Sequence, residues 1–234
     1  MTDATRNEYD DFATEYAEGT ATNAYNAHYE RPATLALLGD VAGQRVLDAG
    51  SGPGLFSEQL VARGAIVTGV DASTAQVEQA RARLGTEATF LRGDLEQPLP
   101  LPDNSFDAVV ASLVMHYLED WLPVLREFHR VLRPGGRFVM STHHPFLDHQ
   151  LAGRDNYFET YEWSEVWGFD GKDVTMTFWH RPLHAITDAI TGAGFQLDVV
   201  SEPRPLPDVE RLFPADWTTL TTEPRFLFVS ARAV

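Results

Sequence analysis

The chain has 234 residues, with 18 basic against 34 acidic side chains, a formal net charge of −16 and no cysteine. That length suffices for one large core, and the acidity disfavours a nucleic-acid partner, whose phosphates need a basic surface. The missing cysteines exclude a thiol nucleophile, a disulfide framework and cysteine-ligated zinc or iron–sulfur centres.

No apolar run reaches the roughly 18 residues of a membrane-spanning helix. The start, Met-Thr-Asp-Ala-Thr-Arg-Asn-Glu, is polar and carries no secretory pattern. No membrane partner is therefore expected, and the cytoplasm is the expected location.

Residues 1–44 predict short helices with an aromatic face formed by Tyr9, Phe12, Tyr16, Tyr25 and Tyr29. These rings suit either packing on a sheet edge or a helical lid over a site. Arg31-Pro32 opens a further helical stretch to Leu38, and Gly39 is its expected stop.

Residues 46–54 read Val-Leu-Asp-Ala-Gly-Ser-Gly-Pro-Gly, an apolar strand entering a loop with glycine at every second position. Gly50, Gly52 and Gly54 let backbone approach a ligand closely, and Asp48 is expected to face the same crevice. Dinucleotide sites space their glycines G-x-G-x-x-G and receive a pyrophosphate. Here the third glycine comes one residue early, and the preceding acid would repel a pyrophosphate. The loop alone leaves a Rossmann-type turn with another ligand open.

Helices are expected over 54–63 and 73–84, the second with Ala75, Val77, Ala80 and Leu84 on one face. Between them, Ala65 to Asp71 reads as a strand ending in an acid 21 residues after Gly50. That is where a Rossmann-like fold places the carboxylate that meets ribose hydroxyls. Ser73 is placed to cap the following helix, which leaves Asp71 for that task. Thr89 to Leu95 forms a third strand containing Asp94, and Phe106 to Ser112 a fourth. A helix is expected from Trp121 to Leu132, with Leu122, Leu125, Phe128 and Leu132 on one face. A turn at Arg133-Pro134-Gly135-Gly136 then leads into a fifth strand.

Residues 143–182 form a long aromatic insert after that strand, read as part cap and part acceptor pocket. The alternation from Lys172 to Trp179 also fits a hairpin that only packs. A helix over 183–193 and closing strands over 195–200 and 226–231 follow. The stretch 201–224 carries five prolines and is expected to lie against the cap.

Asp48, Gly50, Gly52 and Gly54 match the acid-x-G-x-G-x-G motif of class I S-adenosylmethionine-dependent methyltransferases, which the chain resembles over residues 44–142. The resemblance is strongest to the type 11 group that includes ubiquinone and menaquinone biosynthesis methyltransferases. It implies an α/β, Rossmann-like, doubly wound sheet of seven strands, mostly parallel with the last antiparallel. It implies one domain over 1–234: an N-terminal helical lid (1–44), a cofactor-binding core (45–142), a cap insert (143–182) and a C-terminal helix with closing strands (183–234). S-adenosylmethionine is the implied cofactor. Asp48 is assigned to its amino-acid end, Asp71 with Ala72 to the ribose, and Asp94 with Leu95 to the adenine. Ser112 at the end of the fourth strand completes the implied set.

Methyl transfer from a sulfonium needs alignment of acceptor, methyl and sulfur, and a protonated acceptor also needs a base. The fold places three histidines near strand ends: His144, His143 and His116, in that order of preference. A reaction without a base stays open for an acceptor that is already nucleophilic. His180 and His184 have the i, i+4 spacing of a metal pair, but Pro182 between them is expected to begin the helix, so no metal is assigned. Glu119 and Asp120 do not clearly match a magnesium-dependent pattern.

The expected acceptor is a small molecule, with oxygen, nitrogen, sulfur or carbon unresolved, and the expected assembly is a monomer or homodimer. A protein or peptide acceptor, or a non-catalytic cofactor-binding protein, is the alternative. A short-chain reductase needs Tyr-x-x-x-Lys, and the sole lysine, Lys172, follows Gly168 at that spacing.

Overall fold

The computed structural model describes residues 13–169 and 172–234; Tyr9, Phe12 and the Tyr16 side chain lie outside the described residues. Ala13–Thr22 (α1), a π-helical turn over Asn26–Glu30 and Arg31–Leu38 (α2) precede the first strand. Strands and helices then alternate: Arg45–Ala49 (β1), Leu55–Ala62 (α3), Ile66–Asp71 (β2), Thr74–Leu84 (α4), Ala88–Arg92 (β3), Phe106–Ser112 (β4), Trp121–Val131 (α5) and Leu132–His143 (β5). Pro145–Ala152 (α6) leads to a hairpin of Tyr161–Phe169 (β6) and Lys172–His180 (β7). Leu183–Gly192 (α7), Phe195–Ser201 (β8), Val209–Leu212 (α8), Pro214–Thr222 (α9) and Phe226–Ala233 (β9) complete the chain.

The seven-stranded sheet runs β3-β2-β1-β4-β5-β9-β8, and the hairpin stands apart as a two-stranded sheet. β1 to β5 pair in parallel. β9 lies between β5 and β8 and runs antiparallel to both. This is the doubly wound, Rossmann-like sheet that the resemblance implies.

Strand alternation divides the core into two layers. Val46, Val67, Ala108, Val110 and Val139 pack with Leu38 of α2 and Phe56 and Leu60 of α3. Leu47, Ala49, Val109, Ala111, Phe138 and Met140 pack on the other face with Trp121, Leu125 and Phe128 of α5 and Ile186 and Ile190 of α7. The strand order reverses between β1 and β4, so their carboxyl ends flank the switch point where such sheets bind ligands.

Two expectations shift. α5 ends at Val131, one residue before the expected Leu132, which belongs to β5; it buries Trp121, Val124 and Val131 besides the expected Leu125 and Phe128, while Leu122 packs partly buried on the same core. The 201–224 segment meets the cap insert through Glu202, 2.6 Å from His144 Nε2, but its helices pack elsewhere. Val209 and Leu220 join Ala24, Tyr29, Phe226 and Phe228 in a separate apolar cluster. The Leu206 N–H donates to the His28 carbonyl at 2.8 Å. The apolar faces of α8 and α9 are thus covered by the N-terminal segment.

Gly54 opens α3 with φ +80°, and a Cβ there would lie 3.1 Å from the Ala80 Cβ on α4. Gly54→Ala should cost about 1–3 kcal/mol of stability in urea unfolding. An unchanged midpoint would contradict this close packing of α3 on α4.

Candidate active site

The loop after β1 is held by β2. The Gly50 and Ser51 N–H groups both donate to the Val70 carbonyl, at 2.8 and 3.0 Å. The Gly52 N–H donates to Asp71 Oδ2 at 2.8 Å, and the Ser73 N–H to Asp71 Oδ1 at 2.9 Å. Ser73 caps α4 by accepting from the Gln76 N–H at 3.1 Å, as its position predicts. Gly50 has φ +74°, and a Cβ there would sit 2.4 Å from Val114 Cγ2. Glycine is required because the chain after β4 packs directly on this turn.

A cavity of about 400 Å³ opens beside the loop. One wall is Gly50, Gly52, Asp71, Ala72, Asp94, Leu95, Glu96 and Ser112, at the carboxyl ends of β1 to β4, with Gln76 from the first turn of α4. The other is Tyr117, Leu118, Glu119, Glu162 and Trp179. Glu162 and Trp179 face each other across the β6–β7 ladder, so the hairpin supplies part of the lining.

The remaining predicted residues lie behind this surface. Gly54 packs on α4, as above. Asp48 is fully buried on the α3 side of β1, where Ser57 Oγ donates to its Oδ2 at 2.6 Å. Its Oδ1 has no partner among the described residues. Burial pushes the Asp48 carboxyl up to about 7; the Ser57 hydrogen bond opposes this, and the Asp71 and Glu30 charges add to it.

His116 sits in a short turn, Met115–Tyr117, and is 2 % exposed. Its ring stacks on His143 at 3.8 Å and packs 4.4 Å from Tyr117. Burial, with His143 adding, holds its pKa well below the ordinary histidine value. His143 Nδ1 lies 3.2 Å from Asp148 Oδ1. His144 caps α6 by accepting from the Phe146 N–H at Nδ1, while its Nε2 lies 2.6 Å from Glu202. None of the three histidines lines the cavity. His180 ends β7 and His184 is in α7, with Pro182 at the helix cap between them. Among the described residues no group of three ionisable side chains is disposed to hold a metal.

Glu30 is the residue that the sequence did not signal. It is 2 % exposed, and the hydroxyls of Thr34, Ser112 and Ser141 donate to its Oε1 at 2.7, 2.8 and 2.5 Å. Burial raises its pKa, and the three hydroxyls oppose the shift. Ser141 Oγ also accepts from the Leu113 N–H at 3.0 Å, fixing a leucine with φ +48° at the cavity wall. Glu30 therefore ties the N-terminal segment to the ends of β4 and β5.

S-adenosylmethionine, which the glycine motif implies, meets suitable groups here. Gln76 lines the cavity, is 2 % exposed, and has no partner for either amide atom among the described residues. A polar ligand satisfies such a group, whose burial alone is costly. Asp71 and Asp94 add acceptors on the same wall.

Asp48 generates a stability prediction. Its carboxyl keeps a proton in the folded chain up to about pH 7 but loses it near the ordinary 3.8 when unfolded. The folded state is thus progressively penalised as pH rises between those values. Asp48→Asn removes the titration, so its stability relative to the parent chain should rise from about pH 4 to about pH 7 and then level off in urea unfolding. A constant difference would contradict the raised pKa.

Comparison with known proteins agrees with this geometry. A family model described as a methyltransferase domain matches residues 47–140. The malonyl-[acyl-carrier protein] O-methyltransferase of Serratia marcescens is 41% identical over 172 residues, which cover 73% of this chain and 61% of that protein. The demethylmenaquinone methyltransferase of Tropheryma whipplei is 36% identical over 115 residues, 49% of this chain and 48% of that protein. The chain thus spans about half to three fifths of the length of these curated relatives. An S-adenosylmethionine-dependent methyltransferase from Mesorhizobium loti superposes with a TM-score of 0.70 at 31% identity, over 86% of this chain and 96% of that one. With the glycine loop, the strand-end acids and this match over most of both chains together, the chain belongs to the S-adenosylmethionine-dependent methyltransferases.

Proposed function

We propose that the chain transfers a methyl group from S-adenosylmethionine to a small-molecule acceptor held under the β6–β7 hairpin. The observation that carries this is one continuous cavity, running from the Gly52–Asp71 edge to Glu162 and Trp179. In this reading residues 45–142 hold the cofactor, 143–182 close the acceptor side, and the N-terminal segment braces the strand ends through Glu30.

Asp71 would accept from ribose hydroxyls, its carboxylate already oriented by the Gly52 and Ser73 N–H groups. Asp94 and Leu95 would hold the adenine, while Gln76 and the Gly50–Gly52 backbone would meet polar parts of the ligand. When bound, S-adenosylmethionine supplies a methyl group on a positively charged sulfur, open to in-line displacement. The protein's main contribution is alignment and exclusion of water, since positioning alone supplies a large part of such a rate.

The proton acceptor in this reading is His116. Burial keeps it neutral, and its ring packs directly behind Tyr117, which lines the cavity. His144 is less suited because both ring nitrogens have partners.

Calorimetry on Asp71→Ala should show S-adenosylmethionine binding weakened by about 1.5–3 kcal/mol, roughly 10- to 150-fold. Unchanged affinity in the folded variant would remove the ribose assignment. His116→Asn should lower kcat about 100-fold or more with cofactor affinity unchanged. Because burial lowers the His116 pKa, the imidazole stays neutral as pH falls through 6.5. The parent rate should therefore hold until well below that pH. An acid limb at or above pH 6.5, or full activity in His116→Asn, would contradict the role.

A further inference from the structure

The cavity lining carries a charge pattern that selects among acceptors. Among the described residues five carboxylates line it, Asp71, Asp94, Glu96, Glu119 and Glu162, and no lysine, arginine or histidine does. Three of these stand on the strand-end wall with Gln76, the buried amide that lacks a partner among the described residues. Glu119 and Glu162 line the cavity together with Tyr117 and Trp179, and Glu162 is the register partner of Trp179 in the hairpin.

Three nearby arginines have partners of their own. The Arg181 guanidinium lies over the Trp121 ring at 4.7 Å and donates to the Glu119 backbone carbonyl. Arg92 Nε donates to the Ala72 carbonyl at 3.2 Å, and Arg154 sits 5.5 Å over the Tyr161 ring. None of the three lines the cavity.

Resting on the methyltransferase reading above, we propose that the acceptor is a flat or aromatic small molecule bearing an amine or other positive charge. The Glu162 and Glu119 carboxylates pair with the charge, and the Trp179 and Tyr117 rings supply apolar and cation–π contact. A carboxylate or phosphate acceptor would face like charge from Glu119 and Glu162, with no cation among the described lining residues to receive it. An acidic carrier protein is disfavoured twice, by this lining and by the net charge of −16. The acceptor chemistry therefore differs from the malonyl-carrier substrate named for the Serratia marcescens relative.

The test uses the whole chain saturated with S-adenosylhomocysteine and titrated calorimetrically at low salt. The probes are phenethylamine, phenethyl alcohol and hydrocinnamate, which share a ring and differ in charge. Phenethylamine should bind about tenfold or more tighter than hydrocinnamate, with the alcohol between them. Glu162→Gln should shrink that gap to about threefold or less without changing S-adenosylhomocysteine affinity, and Glu119→Gln gives an independent check on the same wall. Equal or tighter binding of hydrocinnamate, or no binding of the amine while S-adenosylhomocysteine binds, would overturn the proposal alone. Failure of S-adenosylhomocysteine to bind would overturn the cofactor reading, and the proposal with it.

Discussion

The Asp71 carboxylate holds the site together. One oxygen receives the Gly52 N–H and the other the Ser73 N–H, so a single side chain at the end of β2 joins the turn after β1 to the start of α4. Charge-assisted bonds of this kind are stronger than neutral ones, and a negative group suits the amino end of a helix. The Gly50 and Ser51 N–H groups on the Val70 carbonyl complete the clamp. With the turn fixed, Gly50 can receive the Val114 side chain, and the chain after β4 closes one side of the cavity.

A second clamp works from the opposite direction. Glu30 enters from the N-terminal segment and gathers hydroxyls from α2, β4 and β5 on one oxygen. Its neighbour in this network, Ser141, holds Leu113 in the left-handed region that non-glycine residues rarely occupy. Backbone strain of this kind persists only where surrounding bonds enforce it. Here the enforcing bonds link the N-terminal helices to the cavity wall. α8 and α9 pack on the same N-terminal segment from behind.

What was legible in the sequence was local. Glycine spacing and acids at strand ends describe a turn and its immediate neighbours, and Asp71, Ala72, Asp94, Leu95 and Ser112 all line the cavity. What was not legible depends on the direction of a side chain or on distant segments. Asp48 alternates with Leu47 and Ala49 and points toward α3, as Val46 does, where its partner Ser57 lies on a different element. His144 precedes Pro145, which marks a helix start as well as a turn, and its ring serves as a cap. Glu30 has no spacing signature, because its three partners lie at sequence separations of 4, 82 and 111 residues. The 201–224 segment found its partner through tertiary apolar contact that no local pattern encodes.

The most direct measurement is a crystal structure of the chain with S-adenosylhomocysteine. The adenosine should lie along the β1–β4 strand ends, with ribose hydroxyls about 2.6–3.2 Å from Asp71 and the adenine beside Asp94 and Leu95. The sulfur should face the wall formed by Tyr117 and Trp179. A ligand bound elsewhere, or one in this cavity with Asp71 bonded only to Gly52 and Ser73, would contradict the site as built here.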